Sequence, residues 1–214
     1  MKKYREIWTP TAPTCRETEQ GRFVEGYAIV FGQKSEILYD FAQQYREIIE
    51  PEAISQEELA AYDVIATMWH NREKLLARSR NGEGTLTMSV DAKGLQVRFL
   101  LPNTEDGNNA YSLVTRGDIQ GMSFTYWADE AKSVNYTRDE DGTIIRHVNH
   151  IDGLFDVTLA TSPAYPQTEV SVTNRETPAG MMDLIGRESE TGKSNDAGRL
   201  KYNKAKFLIN KIGL

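Results

Sequence analysis

The sequence predicts a β-rich α+β domain whose sheet curls towards a barrel. Short runs rich in β-branched and aromatic residues recur along the chain, one well-capped helix precedes Gly121, and few other helical patterns occur. Curling is expected because it leaves few strand edges exposed.

Residues 22–31, Arg-Phe-Val-Glu-Gly-Tyr-Ala-Ile-Val-Phe, read as a buried strand stopped by Gly32, with residues 4–9 expected to pair with it at an edge. Ser55-Gln-Glu-Glu58 has capping-box spacing, so a short helix follows 48–54 and runs through Leu59, Ala60, Ala61 and Tyr62. Val64-Ile-Ala-Thr-Met-Trp69 returns to strand and ends at His70-Asn71, after which the polar stretch 72–82 reads as a loop. Residues 84–90 and 95–101 flank Asp91-Ala-Lys-Gly94 as a β-hairpin.

Asn108 or Asn109 is expected to cap a helix with Ala110, Leu113 and Val114 on one face, closed by Gly117 in the left-handed position. The strand 121–128 follows, with Met122, Phe124 and Tyr126 on one face and Gly121, Ser123 and Thr125 on the other. Residues 129–142 are charged and read as a long loop or ribbon. Residues 143–160 form strand interrupted near Gly153 and stopped by Ser162-Pro163.

The 214 residues suffice for one catalytic-sized domain, placed at 1–174, with a flexible, basic, partly helical tail at 175–214. Residues 1–174 carry 17 Lys/Arg against 26 Asp/Glu, whereas 175–214 carry 8 against 5. An acidic body excludes a nucleic-acid-binding domain, which needs clustered Lys and Arg. No run approaches the ~20 apolar residues of a membrane span, and Met1-Lys2-Lys3-Tyr4-Arg5 leads into no apolar signal core, so a cytoplasmic protein without membrane contact is expected. The single Cys15 cannot form an internal disulfide, and with no histidine before position 70 it reads as an incidental free thiol.

Three histidines narrow the search for a general base near neutral pH. His70 lies where an apolar strand gives way to a polar loop. Ser123 stands on the strand face opposite the apolar side chains, where its hydroxyl can meet a groove. Gly-Met-Ser-Phe-Thr lacks the second glycine of a nucleophile elbow, which excludes an α/β-hydrolase. A serine needs a base, and the base needs a third group that fixes its tautomer. Asp156, inside the apolar run Leu154-Phe-Asp-Val-Thr-Leu159, requires a partner if buried, and His147 and His150 are the other candidates. His147-Val-Asn-His150 makes a poor metal pair, because strand residues three apart point to opposite faces. No metal is expected, and without a phosphate loop or dinucleotide fingerprint no other cofactor is either.

His70-Asn71 after a strand, Gly84-Thr-Leu-Thr-Met88 followed by Lys93-Gly-Leu95, Arg116-Gly-Asp-Ile-Gln-Gly-Met-Ser-Phe124 and Leu154-Phe-Asp-Val-Thr-Leu-Ala-Thr-Ser-Pro-Ala164 occur in this order. Together they resemble the prohead (head-maturation) proteases of tailed bacteriophages over about residues 20–172. The resemblance implies a serine endopeptidase with a fold similar to the herpesvirus assembly proteases (assemblin), a β-barrel with peripheral helices. It implies a triad ordered histidine, serine, third member: His70, Ser123 and most often an acidic residue, here Asp156, with His150 open because herpesvirus relatives use a second histidine. Phe124-Thr125 stands near the serine where relatives often have a glycine, and the β-branched Thr125 is expected to narrow the groove beside it. Asp-Val-Thr replaces the commoner Glu-Val-Ser, so the shorter aspartate must approach its histidine more closely.

Backbone N–H groups near Ser123 are the generic oxyanion donors, with Arg116 a side-chain candidate. The implied substrates are the major capsid protein or its scaffolding segment, other prohead proteins and the protease itself, met in the host cytoplasm inside assembling proheads. The resemblance is also compatible with a homo-oligomer. Ala205, Leu208, Ile209 and Ile212, at helical spacing among Arg199, Lys201, Lys204, Lys206 and Lys211, then suit docking to an acidic scaffold helix, followed by cleavage near 189–198. Two other readings remain: a catalytically inactive capsid-assembly factor and a β-barrel binding module.

Overall fold

A computed structural model describes residues 5–9, 12–19, 21–40 and 43–161. The predicted tail and the boundary near residue 174 lie outside them. In chain order the elements are β1 (Arg5–Thr9), β2 (Thr14–Thr18), β3 (Gly21–Val30), β4 (Leu38–Asp40), β5 (Gln43–Ile49), α1 (Gln56–Ala61), β6 (Asp63–Met68), β7 (Asn71–Arg80), β8 (Glu83–Gly84), β9 (Leu86–Val90), β10 (Gly94–Leu100), α2 (Glu105–Arg116), β11 (Gly121–Trp127), β12 (Val134–Arg138), β13 (Ile144–Val148) and β14 (Gly153–Ala160). The fold is β-rich with few helices, as the short apolar runs predict. Among the described residues no helix is long and apolar enough to cross a membrane.

The strands form three sheets: a six-stranded one in the order β1-β11-β14-β6-β7-β8, and four-stranded ones ordered β2-β3-β10-β9 and β12-β13-β5-β4. Val24, Ile29, Val97 and Phe99 of the second sheet share one core with Ala66, Met68, Met122, Phe124 and Leu159 of the first. This shared core holds the six-stranded sheet in place, and the candidate site lies on that sheet's polar side.

Three sequence expectations are corrected. Residues 5–9 pair with β11 rather than with β3, because β2 and β10 already occupy both sides of β3. The stretch 72–82 is largely strand: in β7 the buried Ala77 and Ser79 alternate with the exposed Arg78 and Arg80, so charged outward positions disguise a period-two pattern. The cap of α2 is Thr104 rather than an asparagine, its hydroxyl accepting from the Gly107 N–H at 3.2 Å. Gly107 is needed there, since a Cβ would lie 2.0 Å from the Pro102 carbonyl oxygen.

Other local readings match. Ser55 and Glu58 form the reciprocal capping box of α1. Gly117 ends α2 at φ +80°, its N–H reaching back to the Leu113 and Val114 carbonyls. The 129–142 ribbon is built by β12 folding onto β13, and the interruption before Gly153 spans residues 149–152.

Candidate active site

β14 lies between β11 and β6, antiparallel to the first and parallel to the second. Its register sets Thr158 opposite both Ser123 and Thr67, and Asp156 opposite Thr125. Directly opposed residues share a face, so Ser123, Thr125, Asp156, Thr158 and Thr67 form one polar row across three strands. The intervening residues, Met122, Phe124, Val157, Leu159, Ala66 and Met68, turn to the other face and are buried in the core.

His70 reaches this row from the two-residue turn between β6 and β7, where Met68 is paired with Asn71. Trp69 and His70 sit at φ +54° and +55°, the positive values that a type I′ hairpin turn requires at both central positions. β14 holds the turn: the Trp69 N–H donates to the Leu159 carbonyl at 3.1 Å and the His70 N–H to Thr158 Oγ1 at 3.0 Å. The imidazole is thereby aimed along the polar row. Its Nδ1 lies 2.5 Å from Asp156 Oδ1 and 3.1 Å from Thr125 Oγ1, and its Nε2 lies 2.8 Å from Ser123 Oγ.

A carboxylate against Nδ1 fixes the proton on that nitrogen in the neutral ring. Nε2 is then the acceptor, and the Ser123 hydroxyl donates to it. The second Asp156 oxygen accepts from Thr67 Oγ1 at 2.7 Å. Ser123 is 6% exposed, while the side chains of His70 and Asp156 are 20% and 7% exposed, so the imidazole is the part of the line most open to solvent.

The other sequence candidates stand elsewhere. His147 Nδ1 is 2.6 Å from Glu50 and its Nε2 2.7 Å from Thr137. His150 lies between Glu58, 2.6 Å from Nε2, and Asp152, 3.3 Å from Nδ1. Of the three candidates for the third position, Asp156 alone touches His70. Arg116 pairs with Asp118 at 2.9 Å with its side chain 68% exposed, and it is not a partner of Ser123, His70 or Asp156. Cys15 on β2 is half-buried, and burial pushes its thiol up, away from the thiolate that cysteine catalysis uses.

Sequence reasoning assigned no role to Thr67 and Thr158, and weighed Thr125 only for its bulk. One signal was present for each of the first two: Thr67 is the lone hydroxyl in the Val64–Trp69 run, and Thr158 shares the strand face of Asp156.

None of the curated proteins matches the chain in sequence. Among solved structures, the capsid assembly protease of bacteriophage T4 aligns at 9% identity with a TM-score of 0.42, covering 74% of this chain and 98% of that one. The stronger finding comes from the sequence family: residues 11–182 match the model of the caudovirus prohead serine proteases, and the chain therefore belongs to that family of head-maturation serine peptidases.

Proposed function

We propose that Ser123 is the nucleophile of this peptidase, His70 its general base and Asp156 the group that orients and compensates the imidazole. The observation that carries this reading is the unbroken line from Ser123 Oγ through His70 Nε2, at 2.8 Å, to Asp156 at Nδ1, at 2.5 Å. As Ser123 Oγ attacks the scissile carbonyl, its proton passes to Nε2, and Asp156 stabilises the resulting imidazolium. The imidazolium returns the proton to the leaving amine, and water activated by the same nitrogen releases the acyl group. The oxyanion needs N–H donors. Arg116, at the end of the helix that leads into β11, is the side-chain candidate, alongside backbone N–H groups near Ser123.

The substrates in this reading are the major capsid protein or its scaffolding segment, other prohead proteins and the chain itself. Domain 1–174 cleaves, and the basic segment 175–214 recruits it to an acidic scaffold. Deleting residues 176–214 should then lower incorporation into proheads, and unchanged incorporation would remove that role. We read the three sheets, with α1 and α2 beside them, as the curled sheet of a herpesvirus-type assembly protease. The chain order His70, Ser123, Asp156 supports it.

Co-expression with the capsid protein, comparing product masses for the wild type and Ser123→Ala, tests the assignment. Shortened products are expected only with the wild type. Identical masses would turn the reading towards a catalytically inactive assembly factor or a binding module.

A further inference from the structure

We propose that Thr158 and Thr67 are positioning residues, a buried pair of hydroxyls that holds the catalytic histidine through its backbone and its carboxylate partner at once. The proposal rests on the reading of Ser123, His70 and Asp156 as the triad.

The need for such a device follows from the turn. Type I′ turns favour Asn-Gly and similar pairs, because side chains with a Cβ are strained at positive φ. Here the two positions hold Trp69 and His70, at φ +54° and +55°. Strain of this kind persists only where the surroundings hold the conformation in place. A histidine on an unsupported strained turn would wander by more than the few tenths of an ångström that catalysis tolerates.

Thr158 supplies the support. Its Oγ1 accepts from the His70 N–H at 3.0 Å and donates towards the Thr67 carbonyl at 3.0 Å. One hydroxyl therefore bridges residues 67 and 70, the two ends of the segment that must bend.

Counting protons extends the argument to Thr67. Each hydroxyl carries one proton. That of Thr158 points to the Thr67 carbonyl at 3.0 Å. Thr67 Oγ1 has two acceptors within reach, Thr158 Oγ1 at 3.0 Å and Asp156 Oδ2 at 2.7 Å, and the shorter contact to the carboxylate, which can only accept, takes its proton. Both threonines are 0% exposed, so water cannot replace either hydroxyl. Asp156 is consequently held at Oδ2 by Thr67 while its Oδ1 holds His70. The same two hydroxyls set the backbone origin of the imidazole and the carboxylate that fixes its rotation.

The test uses the full chain and a fluorophosphonate probe, which labels the serine as the Oγ–P bond forms, fluoride departs and the serine proton passes to the base. Saturation kinetics separate the maximal labelling rate from the half-saturating concentration, and thermal midpoints report folding. Thr158→Val and Thr67→Val should each lower the maximal rate about 10- to 100-fold, leaving half-saturation within about twofold. Thr158→Ser and Thr67→Ser, which keep the hydroxyl, should stay within about threefold of wild type.

Valine variants that label at the wild-type rate would overturn the proposal. So would serine variants as impaired as the valine ones, since packing of the methyl group would then be the cause. If Thr158→Val does not fold, Thr67→Val carries the same comparison. A Ser123→Ala protein that still cleaves capsid protein would overturn the triad and the clamp together, whereas an inert Ser123→Ala beside a fully active Thr158→Val would overturn the clamp alone.

Discussion

The polar row at Ser123 and the ion cluster at Tyr126 lie three residues apart on β11, and they differ in how completely their groups are satisfied. Ser123 Oγ has one partner among the described residues, the acceptor nitrogen of His70. The Tyr126 hydroxyl donates to Glu47 at 2.6 Å and accepts from Arg146 at 2.7 Å. Arg146 also reaches the Glu47 carboxylate at 2.6 Å and that of Glu130 at 2.7 Å, with its side chain 0% exposed. Burial works against its charge but is outweighed by Tyr126 and the two carboxylates, which hold the guanidinium well above its ordinary value. The closed cluster ties β11 of the six-stranded sheet to β5 and β13 of the third sheet. In the proposed reading, the open row leaves a serine oxygen with lone pairs to attack and a base ready to take its proton. Burial is common to both, and what separates them is the unfilled hydrogen-bonding capacity of Ser123 Oγ.

Removing the reactive group should therefore cost rate and no stability. Ser123→Ala is expected to reduce cleavage by about 10⁶-fold, equivalent to roughly 8 kcal/mol of transition-state stabilisation, with a thermal midpoint near that of wild type. Product masses and calorimetry on the same preparation check both halves. Asp156→Asn should come next, at about 10⁴-fold, because an amide at that position favours the wrong imidazole tautomer. Retained activity there would show that the line of contacts ends at His70.

Breaking the closed cluster should have the opposite signature. Arg146→Met leaves Glu47 buried without its cation, which typically costs about 3–5 kcal/mol of stability. Protein that remains folded should label with a fluorophosphonate at close to the wild-type rate, because Arg146 touches none of the reacting groups. A chemical-denaturation curve at unchanged midpoint would sink the view that this cluster joins the sheets.

The two clusters also differed in how far they could be read from the chain. Ser123, His70 and Asp156 each contrast with their local surroundings: a hydroxyl opposite an apolar face, a histidine ending an apolar strand, a carboxylate inside one. Their order is the one that the resemblance to the prohead proteases implies. The threonines carry no such contrast, because their role comes from a register joining β6 to β14 across about ninety residues of chain. Arg146 and Glu47 were hidden for the same reason: β13 and β5 run parallel, with Arg146 opposite Glu47, a pairing that no local pattern encodes. β7 is hard to read because its exposed positions include Asn71, Arg72, Glu73, Arg78 and Arg80, residues more typical of a loop. Short-range chemistry is legible in periodicity, whereas partners set by sheet register are not.

The smallest effect is expected where polar contacts meet solvent, at His150. The hydrogen bond with Glu58 raises its pKa, partial burial opposes this, and the negative charges of Glu58 and Asp152 add to the rise. A folded-state value above the unfolded one means that the stabilisation is fully present below about pH 6.5 and is lost as pH climbs through the raised value. The thermal midpoint of the wild type should therefore fall relative to His150→Asn as pH rises above about 6.5. The difference should not exceed about 2 °C, because the His150 side chain is 42% exposed and water screens the pair. Cleavage by His150→Asn should stay within about twofold of wild type, since the ring braces the capping glutamate of α1 and does not touch His70. A large loss of cleavage in His150→Asn beside an active Asp156→Asn would transfer the third role to the histidine, and the distinction between an open, reactive row and purely structural contacts elsewhere would no longer hold.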